Sequence, residues 1–456
     1  MTEIQQVVPM ARSAGRGFHA YSAKHLDMLV SRAGLTPDER LAVRAVATVL
    51  PFRTNAYVVE SLIDWDAVPD DPIYRLVFPQ PDMLPAADVA RLGDLLRREA
   101  PADEVKAAAH EVRMRLNPHP AGQLLLNAPS LDGRPLPGLQ HKYPETVLFF
   151  PRQGQTCHAY CTYCFRWAQF VDEPGLKMAT DDVETLVAYL AEHPEVANVL
   201  ITGGDPMIMG EAVLRRYIQP LVSDPRLDHI ETIRIGTKSL AYWPQRFVTD
   251  PDADATLALF EEVEQAGKSL AIMAHFSHPR ELEPSMLATA VRRIRQTGAT
   301  IRTQAPLIRS INDNPQSWQS MWRTQVRMGM IPYYMFVERD TGPQDYFAVP
   351  LARGYEIFRD AYQGVSGLCR TVRGPSMSAT PGKVCVDGVA RIAGIDVFTL
   401  RMIQARDPKL VGTPFFARFD PNATWLTDLE PVFAPRFPFE PAPEGLPDLW
   451  ADVLPA

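Results

Sequence analysis

From residue 146 onward the sequence alternates with a regularity that leaves few folds open. Short apolar, β-branched runs fall at 146–151, 198–202, 232–236, 270–276, 300–307 and 331–337. Between and after them lie amphipathic stretches of helix length at 181–193, 211–222, 254–266, 283–296, 316–328 and 352–362. In the first stretch Val183, Leu186, Val187 and Leu190 share one helical face, and Asp181 with Glu184 has the form of a capping pair. Six strand–helix units in succession predict an α/β fold with a parallel sheet and helices outside it. Six units fall short of the eight of a closed barrel, so a partial (β/α)6 TIM-like barrel is expected. Its chemistry would sit at the C-terminal ends of the strands.

The flanking sequence divides the chain into a helical N-terminal region and linker (1–135), the barrel (136–365) and a C-terminal extension with a proline-rich tail (366–456). Helical spacing is expected at 22–33, 36–49, 86–99 and 102–116, with a capping box of Thr36 and Glu39 opening the second. The first 116 residues carry no motif with chemistry and read as packing and assembly. Composition narrows the class further. The chain has 46% hydrophobic and 22% charged residues, as a soluble globular protein does. Its net charge of −8 gives no general attraction to nucleic acid or to an anionic membrane. No run approaches the roughly 18 apolar residues of a membrane span, and the N-terminus lacks signal-peptide features. Five cysteines, an odd number, argue against a disulfide framework. A reducing, cytoplasmic setting is expected.

Three of those cysteines, Cys157, Cys161 and Cys164, lie within one short loop after the first strand. Soft thiolates at this spacing favour zinc or an iron–sulfur cluster. A structural zinc site wants four protein ligands, and so does a [4Fe–4S] cube held by protein alone. Three thiolates would leave one iron open to a small molecule. After the second strand comes Gly203-Gly204-Asp205, whose glycines permit close backbone approach and whose carboxylate can accept from an ammonium group. The third strand ends in Arg234 to Lys238, and the fourth in His275 and His278. These two histidines read better as a polar cavity residue and a loop residue than as a metal pair.

The Cys-x-x-x-Cys-x-x-Cys loop resembles that of the radical S-adenosylmethionine (radical SAM) enzymes. The phrases His141 to Glu145, Leu200 to Asp205, Arg234 to Lys238, His275 to Pro279, Ser310 to Asp313 and Pro332 to Phe336 together resemble the lysine 2,3-aminomutase family over about residues 115–390. The resemblance implies a barrel of radical SAM type and a reaction with three cofactors: a [4Fe–4S] cluster, SAM and pyridoxal 5′-phosphate (PLP). SAM bound to the reduced cluster would yield a 5′-deoxyadenosyl radical that takes a hydrogen from an amino acid. PLP would hold the migrating amine on a carrier lysine. It implies Cys157, Cys161 and Cys164 as cluster ligands, Gly203, Gly204, Asp205 and His275 near the cofactors, and Lys142 and Tyr143 at the PLP phosphate. Lys383 is the implied carrier, Arg166 meets the substrate carboxylate as a fork of donors, and Asp313 meets a distal ammonium. An electron donor of flavodoxin or ferredoxin type and a homo-oligomer are implied as partners, with no nucleic acid and no membrane.

The chain departs from the family pattern in ways that bear on chemistry. Thr146 stands where the phosphate site has a second arginine, and Ser376 where a second aspartate grips lysine's distal ammonium. The glycine-rich run before the carrier is reduced to Pro381-Gly382, and the arginine cluster after the last cysteine to Phe165-Arg166-Trp167. A buried cation without adequate partners is disfavoured, so the expected substrate is an α-amino acid, with ordinary lysine not assured. A PLP-independent radical SAM enzyme, an enzyme modifying a protein partner, and a non-catalytic iron–sulfur or zinc protein are the other readings. Cys369 and Cys385 read as packed thiols.

Overall fold

The computed structural model describes residues 18–116, 122–123, 126–171 and 177–441. Parts of the expected linker (117–121, 124–125) and the end of the proline-rich tail (442–456) lie outside the described residues. The frame is one mixed sheet of eleven strands in sequence order. Strand β1 (Leu139–Tyr143) runs antiparallel to β2 (Thr146–Phe149). Then come β3 (Asn198–Ile201), β4 (Thr232–Thr237), β5 (Ser269–His275), β6 (Thr300–Leu307), β7 (Ile331–Val337) and β8 (Arg373–Ser378). Every neighbouring pair from β2 to β8 is parallel. A long antiparallel hairpin, β9 (Gly382–Ile392) and β10 (Ile395–Ala405), and β11 (Pro414–Arg418) complete the sheet.

Parallel neighbours require crossovers, and the amphipathic stretches supply them. Helices at Val183–Ala191, Glu211–Ser223, Ala253–Gln265, Ser285–Gln296, Pro315–Arg327 and Leu351–Gln363 each follow one of the strands β2 to β7. Each turns its apolar residues to the sheet: Leu287, Ala290, Val291 and Ile294 of the fourth are buried. The first of these helices is capped by Asp182, which accepts from the Thr185 N–H at 2.9 Å. The expected cap at Asp181 is thus displaced by one residue, Asp181 instead lying beside Arg152.

The N-terminal region starts differently from the periodic expectation. The stretch 22–33 is a short strand (Ala20–Ser22) and a broken helical segment, with one α-helical run only at Leu26–Val30. The helix Pro37–Val49 has the expected capping box, Glu39 N–H donating to Thr36 Oγ1 and Thr36 N–H to Glu39 Oε2. Residues from these helices and from the sheet share one continuous apolar core, while β9, β10 and β11 build a smaller one with Val337 and Leu351.

The sheet's first edge is tied to its last hairpin by side chains. Lys142 on β1 donates its ammonium to the Ala379 carbonyl, and Gln404 on β10 donates to Glu145 at 3.0 Å. No helix among the described residues is long and apolar enough to cross a membrane.

Candidate active site

The cysteine loop is built by its neighbours from both sides. Gly204 N–H donates to the Gly154 carbonyl and Asp205 N–H to that of Thr156, each at 2.9 Å. A Cβ on Gly204 would come within 2.4 Å of the Thr156 carbonyl oxygen, so only glycine lets this loop close on the cysteine loop. From the other side the N-terminal region grips the same segment. Tyr160 N–H donates to the Arg53 carbonyl and Thr162 N–H to that of Leu76, at 2.8 and 2.9 Å. The buried Asn55 amide donates to the carbonyls of Tyr242 (3.0 Å) and His158 (3.4 Å). Residues that carry no motif therefore hold the site's central loop. Only their contacts, not their types, give them this role.

Asp205 is a hub of the same structure. Its carboxylate accepts from His158 Nε2 (3.0 Å), the Lys238 N–H (2.8 Å), the Met207 N–H (3.0 Å) and Thr237 Oγ1 (2.7 Å). Burial works against its charge, yet the His158 contact and these donors hold it below the usual carboxylate range. All its acceptor positions are thereby occupied within the protein, and its place in this geometry is to lock the cysteine loop to the ends of β3 and β4.

Cys157, Cys161 and Cys164 are partly exposed and unbridged. Burial raises all three thiol pKa values, Cys164 to about 12, and for Cys157 the neighbouring Asp205 and thiols add to the rise. Such a group needs added positive charge before it can exist as three thiolates. Arg166 lies beside it over the Phe150 ring at 4.0 Å, with Nε and Nη2 buried and unpaired. No group of three or more His, Cys, Asp or Glu among the described residues converges on a point as one metal ion requires. An iron–sulfur cube makes no such demand, since each thiolate binds a different corner. The thiols, the short cation supply and the idle guanidinium fit a cluster better than a lone ion.

His275 closes β5. Its Nδ1 lies 3.2 Å from Tyr163 Oη, which also meets Ser277 Oγ at 2.8 Å. Burial and then Lys238 push its pKa well down, so it is a neutral ring beside the cysteine loop. His278 instead turns its Nδ1 to the Arg280 N–H as a cap, which matches the expected loop role. Lys238 pairs with Glu281 at 2.8 Å. Asp313 is half-buried in the loop after β6 and makes no hydrogen bond or ion pair with another described residue. The cap before Pro315 is Asn314, accepting from Ser317 N–H at 2.9 Å, so Asp313 is left unused by the fold.

Lys383 opens strand β9 and does not stand in a surface turn. Its Nζ sits 4.6 Å from the Tyr334 ring centre and 5.8 Å from those of Tyr143 and Phe336, and donates to Gln404 Oε1 at 2.8 Å. Burial, then Arg234, Arg373 and Arg339, lower its pKa to about 7. Lys142 is lowered to about 6 by burial and by Arg339, Arg406 and Lys383. Three basic side chains clamp successive carbonyls of the segment leading to Lys383: Arg339 holds Ser378 (2.8 Å), Lys142 holds Ala379 and Arg406 holds Thr380 (2.9 Å). Arg339 Nε remains buried and unpaired. Neither Arg339 nor Arg406 could be picked out from sequence, because each is a lone arginine outside the quoted phrases, Arg339 by only three residues. Cys369 and Cys385 are buried, away from the loop in sequence and packed as expected.

The arrangement defines an enzyme site with a three-cysteine cluster loop at one end and an amine among rings and cations at the other. A protein of Aquifex aeolicus (strain VF5), provisionally named an L-lysine 2,3-aminomutase, is 31% identical over 398 residues, covering 87% of this chain and 92% of that one. The L-lysine 2,3-aminomutase of Fusobacterium nucleatum subsp. nucleatum is 29% identical over 236 residues, 52% of each chain. That of Acetoanaerobium sticklandii is 28% identical over 277 residues, 60% of this chain and 62% of that one. The chain thus aligns with only about half to two thirds of the length of these last two relatives. A solved radical SAM methyltransferase from Sphaerobacter thermophilus covers 65% of this chain and 94% of its own, with 15% identity and a TM-score of 0.35. No protein-family model matches the chain. The chain belongs to the radical SAM lysine 2,3-aminomutase family. That membership implies an enzyme, and as cofactors a [4Fe–4S] cluster, SAM and PLP.

Proposed function

We propose that the protein is a PLP-dependent radical SAM aminomutase that moves the amino group of an α-amino acid between adjacent carbons. The observation that carries this reading is the surroundings of Lys383: an amine with its pKa lowered to about 7, beside a run of carbonyls clamped by Lys142, Arg339 and Arg406, none of which is in an ion pair with a described carboxylate. An amine attacks a carbonyl only through its free lone pair, and desolvation with like charge provides that form near neutrality. When bound, the cluster with SAM supplies one-electron hydrogen abstraction and PLP supplies an aldehyde for amines.

The chain's own residues then have separable tasks. Cys157, Cys161 and Cys164 would hold the cluster, and Gly203 and Gly204 bring their loop against this segment. Lys142, Arg339 and Arg406 would hold the PLP phosphate, with the Tyr143 ring centre 5.4 Å from Lys142 Nζ. Arg339 and Arg406 thereby make good the arginine missing at Thr146. Arg166 offers its unpaired nitrogens to a carboxylate, and His275 with Tyr163 forms a neutral wall. Asp313 meets a distal group of the substrate. The parallel part of the sheet with its helices is read as the partial (β/α)6 barrel of residues 136–365, extended by regions 1–135 and 366–456. A small amino-acid substrate, an external reductant and a homo-oligomer belong to the same reading.

The test uses anaerobically reconstituted protein loaded with PLP, freed of excess and reduced with borohydride. Peptide mapping should find the pyridoxyl group on Lys383, and K383A should carry none. Stoichiometric iron and sulfide with no fixed pyridoxyl group would reject PLP dependence.

A further inference from the structure

Apart from the site described above, the described residues line a cavity of about 530 Å³ at the start of β8. A space of this size takes a small organic ligand. Its walls come from the helix Leu351–Gln363 (Phe358, Tyr362), β8 (Arg373), β9 (Cys385, Asp387) and β10 (Arg401). Neither Lys383 nor the cysteine loop borders it.

The charged groups of this cavity are unequally paired. Asp387 is the extra residue of a β-bulge, where Val386 faces Leu400 and Gly388 faces Thr399. A bulge re-aims a side chain, and here Asp387 meets Arg401, which donates from Nε at 2.7 Å and from Nη2 at 3.2 Å. That carboxylate is therefore occupied. Arg373 has no carboxylate partner among the described residues. Its Nη1 donates to Tyr334 Oη at 3.3 Å, and its guanidinium lies 5.0 Å from the Tyr333 ring centre and 5.7 Å from that of Tyr334. Arg302 lies over the same Tyr333 ring at 5.2 Å, also without a described carboxylate partner. Two cations thus share one ring with no counter-ion. The rings fix Arg373 and leave its charge unmatched. A guanidinium fork takes a carboxylate or phosphate at two oxygens, and Phe358 and Tyr362 offer ring surface to the body of such a ligand.

We infer that this cavity is a second ligand site, in which Arg373 binds the carboxylate or phosphate of a small organic anion with an apolar ring. The site is joined to the first through Tyr334, whose ring centre is 4.6 Å from Lys383 Nζ. After burial and Arg234, Arg373 is a cause of the lowered Lys383 pKa. An anion on Arg373 offsets that field and favours the ammonium form of Lys383, so occupancy of the two sites is coupled.

The test is isothermal titration of anaerobically reconstituted, PLP-loaded protein, freed of excess PLP, with phenyl phosphate, benzoate and benzyl alcohol. The alcohol has the ring without the charge. Wild type should bind one of the two anions about tenfold more tightly than the alcohol or better, as expected of a charged hydrogen bond, and the tighter one names the anionic group. R373M should lose about tenfold in that affinity and bind the alcohol as wild type does. R406M, altered at the clamped segment beside Lys383, should bind the anion as wild type does. A wild type that binds neither anion, or binds the alcohol equally well, overturns the inference even if R373M does not fold. Anion affinity kept by R373M overturns it too, as does a loss in R406M alone, which would place the anion beside Lys383. Borohydride mapping of Lys383 reports on the aminomutase reading separately, and the second site stands or falls without it.

Discussion

At the scale of single residues, the site is set by which charges are left without partners. Lys383 and Lys142 are amines depressed to about 7 and about 6 by burial and neighbouring cations. Between these values and the ordinary lysine range the unfolded chain binds more protons than the folded one. The cofactor-free protein should therefore gain stability as pH rises through that window and lose it progressively as pH falls toward 7. K383M should flatten part of this slope, leaving the share due to Lys142. Urea midpoints at about pH 7 and about pH 9.5 check it, and an unchanged slope in K383M would show that the amine is not desolvated as described. Of these two residues the sequence marks Lys383 only by position. Its depressed pKa comes from burial first and then from Arg234, Arg373 and Arg339, which arrive from β4, from β8 and from the segment after β7.

At the scale of elements, the repeated strand–helix units were readable because period and length both distinguish helices from buried strands. The hairpin of β9 and β10 was not: its end, from Asp387 to Ile395, is exposed or half-buried at every residue, so no buried face imposes an apolar–polar alternation on it. The N-terminal region shows the opposite failure, where helices were legible and their task was not. Asn55 is the sharpest case. N55A should lose about 1–3 kcal/mol of stability, since it leaves the Tyr242 and His158 carbonyls unpaired, and should speed iron release to a chelator. T36A, which breaks an exposed capping box, should lose about 1 kcal/mol and leave iron retention alone. Equal iron retention in both variants would mean that the N-terminal region packs against the cluster loop without positioning it.

At the scale of the whole molecule, the site is completed across the sheet's two ends. Arg406, just past β10, reaches the Thr380 carbonyl and the Leu126 carbonyl (3.1 Å), joining the hairpin to the segment before β1. If its guanidinium also faces a phosphate, R406M should weaken PLP binding about tenfold and leave pyridoxal, which lacks the phosphate, unchanged. Equal loss for both would assign Arg406 to the fold alone. The sequence by itself determined the α/β alternation, the cluster loop, the glycines that let it close and the candidate carrier lysine. Each of these is local, because a period, a spacing or a missing Cβ acts within a few residues of chain. Tertiary structure alone decided that Asp205 is saturated, that Asn55 holds the cysteine loop, and that Arg339 and Arg406 clamp the segment leading to Lys383. Those depend on which charges meet across hundreds of residues, and an electrostatic field is a sum over neighbours that no stretch of sequence contains.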